Sequence, residues 1–112
     1  MAVRYVLQHE GCPSAIPTDE YAYTFTRESE SDEAIVIHRS PLFAKVYMDC
    51  YNMPADEAEQ LQERLATLPA DIAKPRVNFN DGEINFYWDN VYDDDECIHI
   101  ASELVRAVSR PP

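Results

Sequence analysis

Two short patterns in this chain carry the residue types of a metal site. His9-x-x-Cys12 and Cys97-x-His99 together supply two imidazoles and two thiols. Thiolate and imidazole suit zinc, and four such ligands close a tetrahedron if the two segments meet. Neither spacing is that of a zinc finger. Cys97 and His99 share a face only on a strand, because a helix splays residues two apart by about 200°. Buried thiols and surface imidazoles explain the same residues without a metal, and no cofactor is expected. The run Asp93-Asp94-Asp95-Glu96 has the oxygen ligands that Ca²⁺ or Mg²⁺ takes, without the alternation and central glycine of an EF-hand loop. An acidic helix start explains that run as well.

Catalytic chemistry finds less support. Cys50 or Cys12 with His38 or His9 has the form of a nucleophile and base. A reactive thiol, however, needs an electropositive setting that this sequence does not supply. Any two of 21 carboxylates can meet in a cleft, and nothing in their spacing selects a pair. Gly11 and Gly82 are the only glycines, which removes a glycine-rich phosphate loop, and no Gly-x-Ser-x-Gly, His-Glu-x-x-His or Cys-x-x-Cys pattern occurs. A non-enzymatic role is expected.

Charge is the strongest global feature. Twenty-one acidic against nine basic side chains give a formal net charge of −12. Direct nucleic-acid binding needs clustered Lys and Arg, and an anionic membrane repels such a chain, so both are disfavoured. A basic protein surface, in contrast, is attracted and steered. The negative charge concentrates in Glu28, Glu30, Asp32 and Glu33, in Glu59 and Glu63, and in Asp93, Asp94, Asp95 and Glu96. Seven tyrosines and one tryptophan accompany it, and tyrosine is a favoured interface anchor. Tyr87 and Asp89, on the polar hairpin face with Asn78 and Asn85, adjoin the last acidic run together with Tyr92, and this face is the first choice for the partner contact. Spaced carboxylates imitate a row of phosphates. The expectation is an inhibitor that lays an acidic surface over the basic groove of a nuclease or other nucleic-acid-handling complex, the niche of antitoxins, immunity proteins and anti-CRISPR or anti-restriction proteins. A small metal-binding protein using the His/Cys or Asp cluster is the alternative, and an assembly or chaperone subunit a third reading. Plain solubility accounts for the same charge without any partner. Monomer and homodimer both remain open.

The elements that position these residues can be read from periodicity. At 112 residues the chain fits one domain, residues 1–112, and 46 % hydrophobic content suffices for a core. No run approaches the roughly 20 apolar residues of a membrane span, and the first residues lack a secretory core, so a cytoplasmic, reduced protein is expected. Val3, Tyr5 and Leu7 alternate with polar or smaller neighbours, as do Tyr21, Tyr23 and Phe25, and both segments read as strands. The segment from Glu10 to Glu20, with Gly11, Pro13 and Pro17, reads as loop, and 27–33 as an exposed acidic connection. Ala34 to His38 is nearly continuous and β-branched, the pattern of a strand covered on both faces.

Residues 42–51 fit two templates. A strand gathers Leu42, Ala44, Val46, Met48 and Cys50 on one face. A helix gathers Leu42, Phe43, Val46, Tyr47, Cys50 and Tyr51, and Ser40-Pro41 resembles a helix start, which favours the helix. Ala58, Leu61, Leu65 and Leu68, after Pro54 and an acidic first turn, mark a further helix. Asp81-Gly82 predicts a type I′ hairpin pairing Phe79 with Ile84 and Val77 with Phe86, with Val77, Phe79, Ile84, Phe86 and Trp88 covered by helices. A last helix, capped by one of the three aspartates, carries Cys97, Ala101, Leu104, Val105 and Val108 as its stripe, with a strand over 97–101 as the competing reading. The expected architecture is α+β: a β-β-β-α-α-β-β-α chain whose antiparallel sheet of about five strands has helices packed on one face.

Overall fold

The computed structural model describes residues 3–12, 20–40 and 45–111. It has a six-stranded antiparallel sheet in the order β1-β2-β3-β4-β6-β5. The strands are β1 (Tyr5–Gly11), β2 (Tyr21–Arg27), β3 (Glu33–Ser40), β4 (Lys45–Cys50), β5 (Arg76–Asn80) and β6 (Glu83–Asp89), and the helices are α1 (Ala55–Leu65) and α2 (Asp94–Val108). The expected α+β class holds, with six strands rather than five. No helix among the described residues is long and apolar enough to cross a membrane.

The sixth strand comes from the ambiguous segment. Residues 45–50 form β4, not the favoured helix, and pair with β3 on one side and β6 on the other. Ser40, read as a helix cap, is the last residue of β3; Pro41, Leu42, Phe43 and Ala44 lie outside the described residues. Period two decides the outcome. Val46, Met48 and Cys50 are fully buried, while Lys45, Tyr47 and Asp49 face the other way with partners of their own. A helix here would leave β3 and β6 as two more unpaired edges.

Both helices cover one face of the sheet. Phe25, Ile35, Ile37, Val46, Met48, Leu61 and Leu104 are fully buried between the layers. Pro54, in extended conformation, precedes α1 as its N-cap, and Asp56 and Glu57 occupy the first turn, where the helix dipole favours them. Leu61 is buried, Leu65 and Leu68 pack partly against the core, and the helix ends at Leu65. The N-cap of α2 is Asp93, whose side chain accepts the Asp95 N–H at 2.9 Å. Cys97, Ala101, Leu104 and Val108 are buried along α2, as its periodicity predicts, and the strand alternative for 97–101 is overturned. The early loop begins later than expected, since β1 runs on to Gly11; residues 13–19 lie outside the described set.

The hairpin has the predicted register, Phe79 opposite Ile84 and Val77 opposite Phe86, with two corrections. Only Gly82 adopts positive φ (75°) in the turn, so Asp81-Gly82 follows a type II pattern rather than type I′. Ile84, Phe86 and Trp88 are buried, but Val77 and Phe79 remain 43 % and 66 % exposed. β5 is one of the two edge strands, and the helices lie over β3, β4 and one another. Helix cover does not reach β5.

Candidate acidic interaction surface

Sheet register carries the acidic segments to two ends of the molecule. At one end β2 turns into β3, β4 leaves for α1, and β5 turns into β6. Glu28, Glu30, Asp32 and Glu33 are exposed there. Asp56 and Glu59, on the first turns of α1, belong to the same end, and Glu59 shares a groove with Asp81 and Glu83 of the hairpin turn. The field of this cluster is felt at Tyr51, whose phenol is pushed up first by burial and then by Asp49, Glu83 and Glu33. Glu63 is exposed one turn further along α1. Asp93, Asp94, Asp95 and Glu96 stand at the opposite end, where β6 runs out at Asp89 and α2 begins. Tyr92 is exposed beside them, its hydroxyl donating to Asn90 at 3.1 Å. The acidic residues singled out by sequence therefore form two separate groups.

Arg27 reaches the first group only at long range, its Nη1 lying 3.9 Å from Glu30. Arg27 turns inward, its Nε donating to Glu57 at 2.6 Å and its Nη2 to the carbonyls of Tyr51 and Asn52. Glu57 is the buried exception among the acids, and the same carboxylate oxygen accepts the Tyr5 hydroxyl at 2.6 Å. Burial alone would lower the Arg27 pKa, but the hydrogen bond and charge of Glu57 raise it. Burial, followed by the hydrogen bond to Glu57, pushes Tyr5 well above its ordinary value. Arg64 donates to the carbonyls of Val108 and Val3, tying the end of α2 and the start of the chain to α1. Arg39 lies over the Tyr21 ring at 4.4 Å, and Arg76 pairs with Asp89 at 2.6 Å. Among the described residues, none of Glu28, Asp32, Glu33, Asp56, Glu59, Glu63 or Asp93–Glu96 has a salt-bridge partner.

The sheet face opposite the helices holds a polar network that sequence reasoning missed. Register places Ala22, His38, Tyr47, Tyr87 and Arg76 in one row across five strands. His38 stacks on Tyr47 with centroids 4.2 Å apart, and Tyr47 lies 6.4 Å from Tyr87. Glu20 accepts the Tyr47 hydroxyl at 2.7 Å and lies 2.9 Å from His38 Nδ1, while Asp49 lies 3.6 Å from Nε2. Nδ1 is within hydrogen-bond reach of Glu20, whereas 3.6 Å between Nε2 and Asp49 is too long for a hydrogen bond. Asp49 accepts from Asn85 at 2.7 Å. Burial and then the Glu20 hydrogen bond push the Tyr47 phenol up. The signal for this network was the alternation of Lys45, Tyr47 and Asp49 on β4, hidden while 42–51 was read as a helix.

Neither the four-ligand metal pattern nor the Cys50–His38 pair assembles among the described residues. Among the described residues no group of three or more His, Cys, Asp or Glu side chains is placed to hold a metal ion. Cys97 is buried on α2 and donates to the Val91 carbonyl, whereas His99 is exposed and 3.1 Å from Asp71. Cys50 faces the helices and His38 the opposite side of the sheet, so they cannot act together. Burial first, then nearby acids, raises the thiol pKa of both Cys50 and Cys97, which suits packing groups rather than nucleophiles. Comparison with protein-family models, curated proteins and solved structures finds no match.

Proposed function

We propose that this protein is a non-enzymatic inhibitor that covers a basic, nucleic-acid-binding surface of a partner protein. The observation that supports this reading best is the end of the sheet where the β2–β3 turn, the start of α1 and the β5–β6 turn present Glu28, Glu30, Asp32, Glu33, Asp56, Glu59, Asp81 and Glu83. These carboxylates come from three separate chain segments, and Arg27 beside them directs its Nε to Glu57 and its Nη2 to two backbone carbonyls, with Nη1 3.9 Å from Glu30. Carboxylates gathered on neighbouring turns present negative charge as a phosphate backbone does. Such a surface gains speed and selectivity toward a basic groove from electrostatic steering. The Asp93–Glu96 end, with Tyr92 and with Tyr87 and Asp89 on the adjacent sheet face, supplies a second acidic contact for a partner that wraps around the molecule.

Charge reversal separates the two ends. Replacing Glu28, Glu30 and Asp32 by lysine should weaken partner binding by an order of magnitude or more and leave the melting temperature nearly unchanged, because these side chains are exposed. The equivalent change at Asp93–Glu96, or Tyr87→Ala, should have the smaller effect. A triple variant that binds as the unchanged protein does would remove the first end from the interface.

A further inference from the structure

All five residues of β5 are exposed, including the apolar Val77 and Phe79. Across the tight turn Asn80 faces Glu83, and behind it Asn78 faces Asn85 and Arg76 faces Tyr87. Hydrogen-bonded and non-bonded pairs alternate along an antiparallel ladder, beginning with the bonded pair that closes the turn. Asn80, Asn78 and Arg76 therefore direct their backbone groups at β6. Val77 and Phe79 direct theirs outward, where no strand among the described residues receives them. The other edge of the sheet is different. β1 has a register shift between Leu7 and His9, and bulges of this kind blunt an edge. No register shift interrupts the pairing of β5 with β6, and the strand has neither proline nor lysine.

We propose that β5 is a homodimer interface, in which a second copy of the chain adds its own β5 antiparallel about a two-fold axis through Asn78. The edge is self-complementary in that register. Val77 of each copy falls opposite Phe79 of the other on the helix side, and these two pairs exchange the four free backbone hydrogen bonds. On the opposite face Asn78 meets its own counterpart and Arg76 lies opposite Asn80. Pro75 has no N–H and ends the ladder, and beyond it Lys74 comes opposite the acidic Asp81–Glu83 turn of the other copy. Opposite charges thus meet at both ends of the contact. The groove of about 640 Å³ between α1 and the hairpin tip, lined by Met53, Ala58, Phe79 and Ile84 among others, opens beside this contact. The arrangement is isologous and closes on itself.

Because each copy has a net charge of −12, salt should strengthen this association by screening repulsion, the reverse of its effect on a basic partner. Sedimentation equilibrium from micromolar to millimolar protein, at low and high salt, tests the proposal. The expected mass rises from 12.9 kDa toward twice that value, at lower concentration when salt is high. Phe79→Glu should raise the dissociation constant about tenfold or more, with Val77→Lys as the second variant should the first not fold. Leu7→Glu, on the β1 edge, should dimerise as the unchanged chain does. A chain that stays at 12.9 kDa throughout overturns the proposal and leaves β5 open to a strand of a different protein. An undiminished dimer of both β5 variants overturns it as well.

Discussion

The Glu57 carboxylate ties one helix to two strands. An acidic first turn gives no sign of burial, yet Glu57 is 6 % exposed and joins α1 to β1 and β2 through Tyr5 and Arg27. Removing one member of a buried pair leaves the other charge without compensation, so Glu57→Gln and Arg27→Ala should each cost about 3 kcal/mol in a denaturant melt. The tyrosines set the alkaline limit. Tyr5 and Tyr47 are raised in the folded protein above the ordinary 10.0, so the folded state holds its phenolic protons more tightly than the unfolded chain does. Their contribution is fully present below pH 10.0 and is lost as pH rises beyond it, and Cys50, raised above 9.0 by burial, acts in the same direction. Stability should therefore fall between about pH 9 and pH 12, and Tyr5→Phe should flatten that fall. A thiol reagent should distinguish the cysteines, labelling exposed Cys12 quickly and buried Cys50 and Cys97 only on unfolding.

At the scale of elements, legibility followed the number of consistent local signals. The hairpin register was readable because Val77, Phe79, Ile84 and Phe86 alternate around a turn dipeptide. α2 was readable because an aspartate cap precedes a stripe of helical period. β4 was not, because Val46 and Cys50 satisfy both templates and Ser40-Pro41 imitates a helix start. The choice belongs to the neighbours: β3 and β6 each need a partner, and Met48 fills the centre of the core only from a strand. Met48→Ala should accordingly destabilise by about 2–5 kcal/mol, and the amides of β4 should rank among the slowest to exchange, as befits a central strand. Asp93→Ala should cost about 1 kcal/mol through loss of the α2 cap. The exposure of Val77 and Phe79 was equally illegible, since an alternating pattern marks which face is apolar but not how far helices extend across it. The Glu20–His38–Tyr47–Asp49 network needed the register of β2, β3 and β4, none of which is local in sequence.

At the scale of the molecule, the net charge of −12 becomes a distribution. Arginines at 27, 39, 64 and 76 are held by buried, aromatic or carboxylate partners, and the exposed acids gather at the two ends of the sheet. The proposed function requires that asymmetry to hold a basic partner. Its most direct test begins with capture of a partner from native-host extract at low salt and elution by rising salt. The affinity of the purified pair is then measured across ionic strength with nucleic acid as competitor. The expected result is a single basic, nucleic-acid-binding partner whose affinity falls steeply as salt screens the contact and which nucleic acid displaces. An affinity unchanged between low and high ionic strength would contradict it.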